Sequence, residues 1–182
     1  MRLFLPQTAM LLVDVQERLF GHIEGHDELE KHLLVLLQGL QNLNVPILCN
    51  QQYTKGLGET IESIRLLLGD VEIYEKRTFS CCQNEDVMEA LKALHVKRVI
   101  VAGVESHVCI LQSVLDLLEA GFEVIVCADA IGSRKAKDHE LALLRMTQEG
   151  AYVGSVESLL FELLHSADHA QFKTISSLVK AL

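Results

Sequence analysis

Short apolar runs alternate with longer amphipathic stretches along the whole chain. The runs 9–13 (AMLLV), 45–50 (VPILCN), 71–74 (VEIY), 98–102 (RVIVA), 122–127 (FEVIVC) and 151–154 (AYVG) have the length and composition of strands. Between the first two, Leu29, Leu33, Leu36, Leu37 and Leu40 return on one face of a helix over 27–43. Asn84 stands before Glu85 and Asp86, a cap followed by an acidic first turn. Gly69, Gly121 and Gly150 each follow the last apolar position of a helical pattern, where a left-handed residue ends the helix. Two more helical patterns, 156–165 and 170–182, are expected to pack outside the sheet. Strands interleaved with helices predict one α/β domain over residues 1–182, doubly wound in three layers around a six-stranded, mostly parallel sheet.

In such a fold ligands bind beyond the carboxyl ends of the strands, near the point where strand order reverses. The residues to inspect are therefore Asp14, 51–58, Lys76, 103–109 and Asp129. No glycine-rich phosphate loop follows the first strand, so nucleotide binding is not expected. The histidines are scattered and no cysteine pair has zinc spacing, so neither metal nor other cofactor is expected.

A net charge of −9 without a basic stripe argues against a nucleic-acid partner, and no acid/base histidine pair stands out to support ribonuclease chemistry. No apolar stretch reaches a membrane span, and residues 1–6 do not make a signal peptide, so the expectation is a cytoplasmic protein without a membrane partner. The odd count of 5 cysteines then reads as free thiols, the adjacent Cys81 and Cys82 included. The 49% apolar composition and leucine-rich outer helices suggest a homo-oligomer, dimer or larger.

The stretch GVESHVCI, residues 103–110, carries the chemistry. It sets Cys109 at the start of the helix that follows a buried strand, where free backbone N–H groups and the helix dipole favour thiolate. Asp14 and Lys76 end strands on the same sheet edge. An ammonium there would lower the thiol pKa further, and a carboxylate would collect its proton. Backbone N–H groups around Glu105 and Cys109 would supply an oxyanion hole.

The segments AMLLVDVQERLF, EKRTFSCC and VAGVESHVCILQSVLDLL resemble the isochorismatase-like cysteine hydrolases, which include nicotinamidases, N-carbamoylsarcosine amidohydrolases and isochorismatases. NQQYTKGLG, GSRKAKDHELALLRMTQEGA and HAQFKTISSLVK extend the likeness to the isochorismatase domain-containing protein 2 subgroup over nearly the whole chain. The resemblance implies a Cys109–Lys76–Asp14 triad, a cis peptide at Val104–Glu105, and a pocket of Phe20, Tyr53, Leu57, Phe79, Glu105, His107 and Tyr152, each equally at home in plain packing. Asn50-Gln51-Gln52 stand where zinc-dependent nicotinamidases carry Asp-x-His, so the implied activity is metal-independent hydrolysis of a small amide, carbamoyl or related substrate. The competing expectation is a non-catalytic protein that binds a small ligand or regulates, on the same fold.

Overall fold

The computed structural model describes every residue from Met1 to Leu182. Its strands are β1 (Thr8–Val13), β2 (Ile47–Gln52), β3 (Ile73–Lys76), β4 (Arg98–Val104), β5 (Glu123–Gly132) and β6 (Tyr152–Gly154). All pair in parallel, in the order β3-β2-β1-β4-β5-β6. That is the order of the dinucleotide-binding folds, and it reverses between β1 and β4.

The helices are α1 (Glu17–Phe20), α2 (His26–Asn42), α3 (Thr54–Leu57), α4 (Glu62–Leu68), α5 (Glu85–Ala93), α6 (Leu111–Glu119), α7 (Ala136–Gln148), α8 (Val156–Leu164) and α9 (Phe172–Val179). Helix α2 packs against α4, α8 and α9, while α6 packs against α7. Leu33, Leu36, Leu37 and Leu40 of α2 are fully buried, as their spacing predicts. They join one apolar cluster with the inner residues of β1, β4 and β5. Asn84 accepts from the Asp86 N–H at 3.0 Å, and Gly69, Gly121 and Gly150 all take positive φ.

Most strands differ from expectation at one end. Strands β2, β3, β4 and β5 run on through Gln52, Lys76, Val104 and Gly132, past the last apolar residue of each run. Backbone pairing needs no apolar side chain, so the ladder continues into the polar edge where a ligand would sit. Lys76 is therefore the last residue of β3 rather than a residue beyond it. Strand β5 keeps pace with β4 through a register shift between Val101 and Gly103. Asp129, inside β5, accepts from the Val156 N–H at 2.9 Å and is committed to holding α8. No helix is long and apolar enough to cross a membrane.

Candidate functional site

The parallel registers bring the carboxyl ends of four strands level. Val13 of β1 stands beside Asn50 of β2 and Gly103 of β4, and Gln52 stands beside Lys76 of β3. Asp14 follows Val13 in the left-handed region at φ 52°, and its N–H bonds to the Asn50 carbonyl at 3.0 Å. The turn directs its carboxylate into the fold, where it is fully buried.

Lys76 meets it. Its Nζ donates to Asp14 Oδ2 at 2.6 Å, to Gln52 Oε1 at 2.7 Å and to the Thr78 carbonyl at 3.3 Å. Those contacts occupy all the donors an ammonium has. The other Asp14 oxygen, Oδ1, is buried without a fixed hydrogen-bond donor.

Strand β4 delivers the thiol. Gly103 takes φ +117°, and a Cβ there would lie 2.1 Å from the Val13 carbonyl oxygen, so the two strand ends touch backbone to backbone only because this residue is glycine. The Val104–Glu105 peptide is cis. Ser106–Ile110 then form a π-helical turn leading into α6, in which the Glu105 carbonyl accepts from the N–H groups of Val108 at 3.0 Å and Ile110 at 3.2 Å. The Glu105 N–H itself engages no backbone carbonyl. The Ser113 hydroxyl donates to the Cys109 carbonyl at 2.7 Å and accepts from the Cys81 N–H at 2.9 Å, pinning the turn to the segment after β3.

The thiol of Cys109 faces both Asp14 and Lys76. Burial, and then the Asp14 carboxylate, push it up to about 12, against the pull of Lys76. The pull toward thiolate expected from the helix start and Lys76 is opposed here: burial weighs most, and the Asp14 carboxylate works against the Lys76 ammonium. Burial likewise raises Asp14 above its ordinary range despite Lys76. Burial works to lower Lys76, but the Asp14 carboxylate outweighs it and the net direction is upward. The Cys109 thiol and the Asp14 carboxyl are thus both shifted upward, beside an ammonium that also rises.

The other expected site residues divide. The Glu105 carboxylate is tied to Arg134, accepting from its Nε at 2.9 Å and its backbone N–H at 3.2 Å, so its charge is answered within the fold. His107 Nδ1 lies 3.0 Å from the Ser133 hydroxyl, in a polar cleft of about 330 Å³ shared with Arg134, Lys135 and Asp138. Phe79 is 54% exposed and lines an open cleft of about 410 Å³ with Thr78, Ser80 and Gln112. Thr78, whose carbonyl accepts from Lys76, belongs to that lining, while Asp14, Lys76 and Cys109 do not. Tyr53 sits after β2, with the Arg77 guanidinium 4.0 Å over its ring. Leu57 is half-buried in α3.

Phe20 is buried in the core with its ring edge-on to His26, the packing role the sequence left open for it. One placement is a correction. Tyr152 lies on the outermost strand, level with Ile125 and so with Ile100, well short of the Gly103 end of β4. Its position beside the apolar Val153 in sequence does not reveal which end of an edge strand it occupies.

Three polar residues to which the sequence assigned no role hold the group together: Gln16, Gln52 and Ser113. Their one sequence signal is a polar residue beside a strand end or, for Ser113, one helical turn past the thiol. No cluster of three or more His, Cys, Asp or Glu side chains is arranged to hold a metal ion.

The Rossmann-ordered sheet thus carries a carboxylate, an ammonium and a thiol at its switch point, and no phosphate loop follows its first strand. Comparison with known proteins identifies the lineage. The isochorismatase domain model matches residues 8–158. Isochorismatase family protein 1B of Dictyostelium discoideum is 37% identical over 181 residues, covering 96% of this chain and 87% of its own. Isochorismatase domain-containing protein 2 of Bos taurus is 37% identical over 178 residues, covering 97% and 85%. Among solved structures, the MAR1 ribonuclease of Caenorhabditis elegans superposes with a TM-score of 0.94 at 32% identity, covering 99% of this chain and 93% of its own. The YcaC gene product of Escherichia coli, an octameric hydrolase of unknown specificity, gives 0.91 at 28% identity over 97% and 90%. The chain belongs to the isochorismatase-like hydrolase family.

Proposed function

We propose that the protein is a metal-independent cysteine hydrolase of a small amide, carbamoyl or related compound, with Cys109 as nucleophile. The observation that carries this reading is the buried Oδ1 of Asp14, left open toward the Cys109 thiol while Lys76 fixes the other carboxylate oxygen. Asp14 takes the proton as Cys109 Sγ bonds to the carbonyl carbon. The carbonyl oxygen becomes an oxyanion facing the free Glu105 N–H. Collapse breaks the carbon–nitrogen bond, and Asp14 returns the proton to the leaving amine. A water then gives its proton to Asp14, attacks the thioester, and the released sulfur regains a proton. Lys76 stays charged throughout and keeps the carboxylate in place.

The donors at the β2 corner support the metal-independent reading, since Asn50 and Gln52 present amides and Gln52 is already spent on Lys76 and the Arg77 carbonyl. Ribonuclease activity, as in the description of the nematode neighbour, is not part of this proposal: a chain of net charge −9 offers RNA no basic face. All of Cys49, Cys81, Cys82, Cys109 and Cys127 are free, which fits a reducing, cytoplasmic setting. A homo-oligomer, dimer or larger, is part of the proposal, supported by the octameric neighbour and by exposed Leu66, Leu141 and Leu144.

The test is iodoacetamide alkylation of each cysteine near neutral pH, read by peptide mass spectrometry, in wild type and Asp14→Asn. The reading expects Cys109 to react fastest in wild type and to slow on the order of a hundredfold without its base. Electrostatics alone predicts the reverse: removing a negative charge lowers the thiol pKa and speeds the reaction. Acceleration in Asp14→Asn would therefore remove the base assignment. A Cys109 no faster than Cys49 or Cys127 would put the ligand-binding reading first.

A further inference from the structure

The buried ammonium of Lys76 has a second acceptor besides Asp14, and that acceptor is itself built in. Gln52 Oε1 lies 2.7 Å from Lys76 Nζ, while Gln52 Nε2 donates to the Arg77 carbonyl at 2.9 Å. The second contact fixes the amide's orientation, because a flipped amide would point N–H at an ammonium and oxygen at a carbonyl. The backbone of Gln52 is clasped on both sides by one side chain: its N–H donates to Gln16 Oε1 at 2.7 Å, and its carbonyl accepts from Gln16 Nε2 at 3.0 Å. Gln16 is fully buried and its amide also donates to the Gly58 carbonyl at 2.7 Å. Its own N–H bonds to the Asp14 carbonyl at 2.8 Å. The result is a closed ring: Asp14 to Lys76 to Gln52 to Gln16 and back to Asp14 through the chain.

We infer that Gln52, oriented by Gln16, is a positioning residue for the reaction at Cys109, holding the Lys76 ammonium with a neutral acceptor so that its charge acts undivided on Asp14. The inference rests on the nucleophile reading given above. An amide suits this place better than either alternative. An apolar residue would leave a buried ammonium N–H without a partner. A carboxylate would satisfy the N–H but share the single positive charge between two anions, and Asp14 would lose part of its counter-charge. A glutamine satisfies the geometry without dividing the field.

The substitution Gln52→Glu separates positioning from mere packing. A protonated glutamic acid mimics glutamine here: its carbonyl oxygen accepts from Lys76 and its hydroxyl donates to the Arg77 carbonyl. Once ionised, it competes with Asp14 for the ammonium. The readout is the pH profile of Cys109 alkylation. The expected result is near-wild-type reactivity at the acid end, with divergence as pH rises and a midpoint moved upward by about one pH unit. A packing role lowers stability and leaves that midpoint in place, so an unmoved midpoint in a folded Gln52→Glu protein overturns the inference. If wild-type alkylation does not depend on Asp14 at all, the nucleophile reading and the inference fall together, an outcome distinct from the first. Should Gln52→Glu not fold, Gln16→Met serves instead: it leaves every ionisable group in place and frees the Gln52 clasp. Its expected effect is about a fivefold slower reaction at Cys109 with the other thiols unchanged; an unchanged Cys109 rate overturns the inference.

Discussion

Replacing Lys76 with methionine is expected to cost about 3–5 kcal/mol of stability near neutral pH, because it leaves the fully buried Asp14 carboxylate without its counter-ion. The loss has a defined pH dependence. Asp14 is already raised above its ordinary value by burial, and removing the ammonium raises it further. A carboxyl raised in the folded state stabilises below its unfolded value and loses that contribution as pH climbs through the folded value. The variant should therefore approach wild type on acidification, when Asp14 takes up a proton. Lys76 is raised in the folded protein, so its contribution holds below its ordinary range and fades only in strong alkali. The difference between the two proteins is widest between those limits. Urea unfolding across pH measures it, and a gap that does not narrow toward acid would mean that Asp14 is not the charge left behind. Adding Asp14→Asn to Lys76→Met removes that charge too, and should recover most of the stability while leaving Cys109 without its base.

The same residues show how far the chain could be read before its structure. Hydrophobic period placed every strand and the α2 core face, because a buried parallel sheet leaves an unbroken apolar run and an amphipathic helix an apolar stripe. Reading failed at the carboxyl ends, where β2 to β5 continue through polar or glycine residues. Those ends are the site, so the places where pattern stops are the places where chemistry starts. Asp14, Lys76 and Cys109 were legible as residue types at one sheet edge. Gln16 and Gln52 were not, since a glutamine at a strand end carries no motif and its value lies in a partner far along the chain. The upward push on Cys109 was equally hidden. A helix start and a lysine both point to thiolate, whereas burial and the Asp14 carboxylate act in the opposite direction, and neither shows in a local motif.

Gly103→Ala tests the contact on which the whole arrangement depends. Two penalties coincide at this position. Any residue with a Cβ is strained at φ +117°, and that Cβ would meet the Val13 carbonyl oxygen at 2.1 Å. The atom it meets is backbone in the centre of the sheet, which cannot turn aside as a side chain would. The expected loss is on the order of 3–5 kcal/mol, the sum of backbone strain and overpacking. Gly121→Ala supplies the control, because Gly121 also has positive φ, at 89°, with nothing within 4 Å of the added atom. It should cost only the left-handed conformation, roughly 1–2 kcal/mol. Relief of the clash at Gly103 means parting β4 from β1, which carries the turn bearing Cys109 away from Asp14. Alkylation at Cys109 should then lose its dependence on Asp14 even in the fraction of Gly103→Ala protein that stays folded. Equal stability of the two variants would show that β1 and β4 can separate freely at their ends, and the rigid juxtaposition of Asp14 with Cys109 would no longer explain the thiol's behaviour.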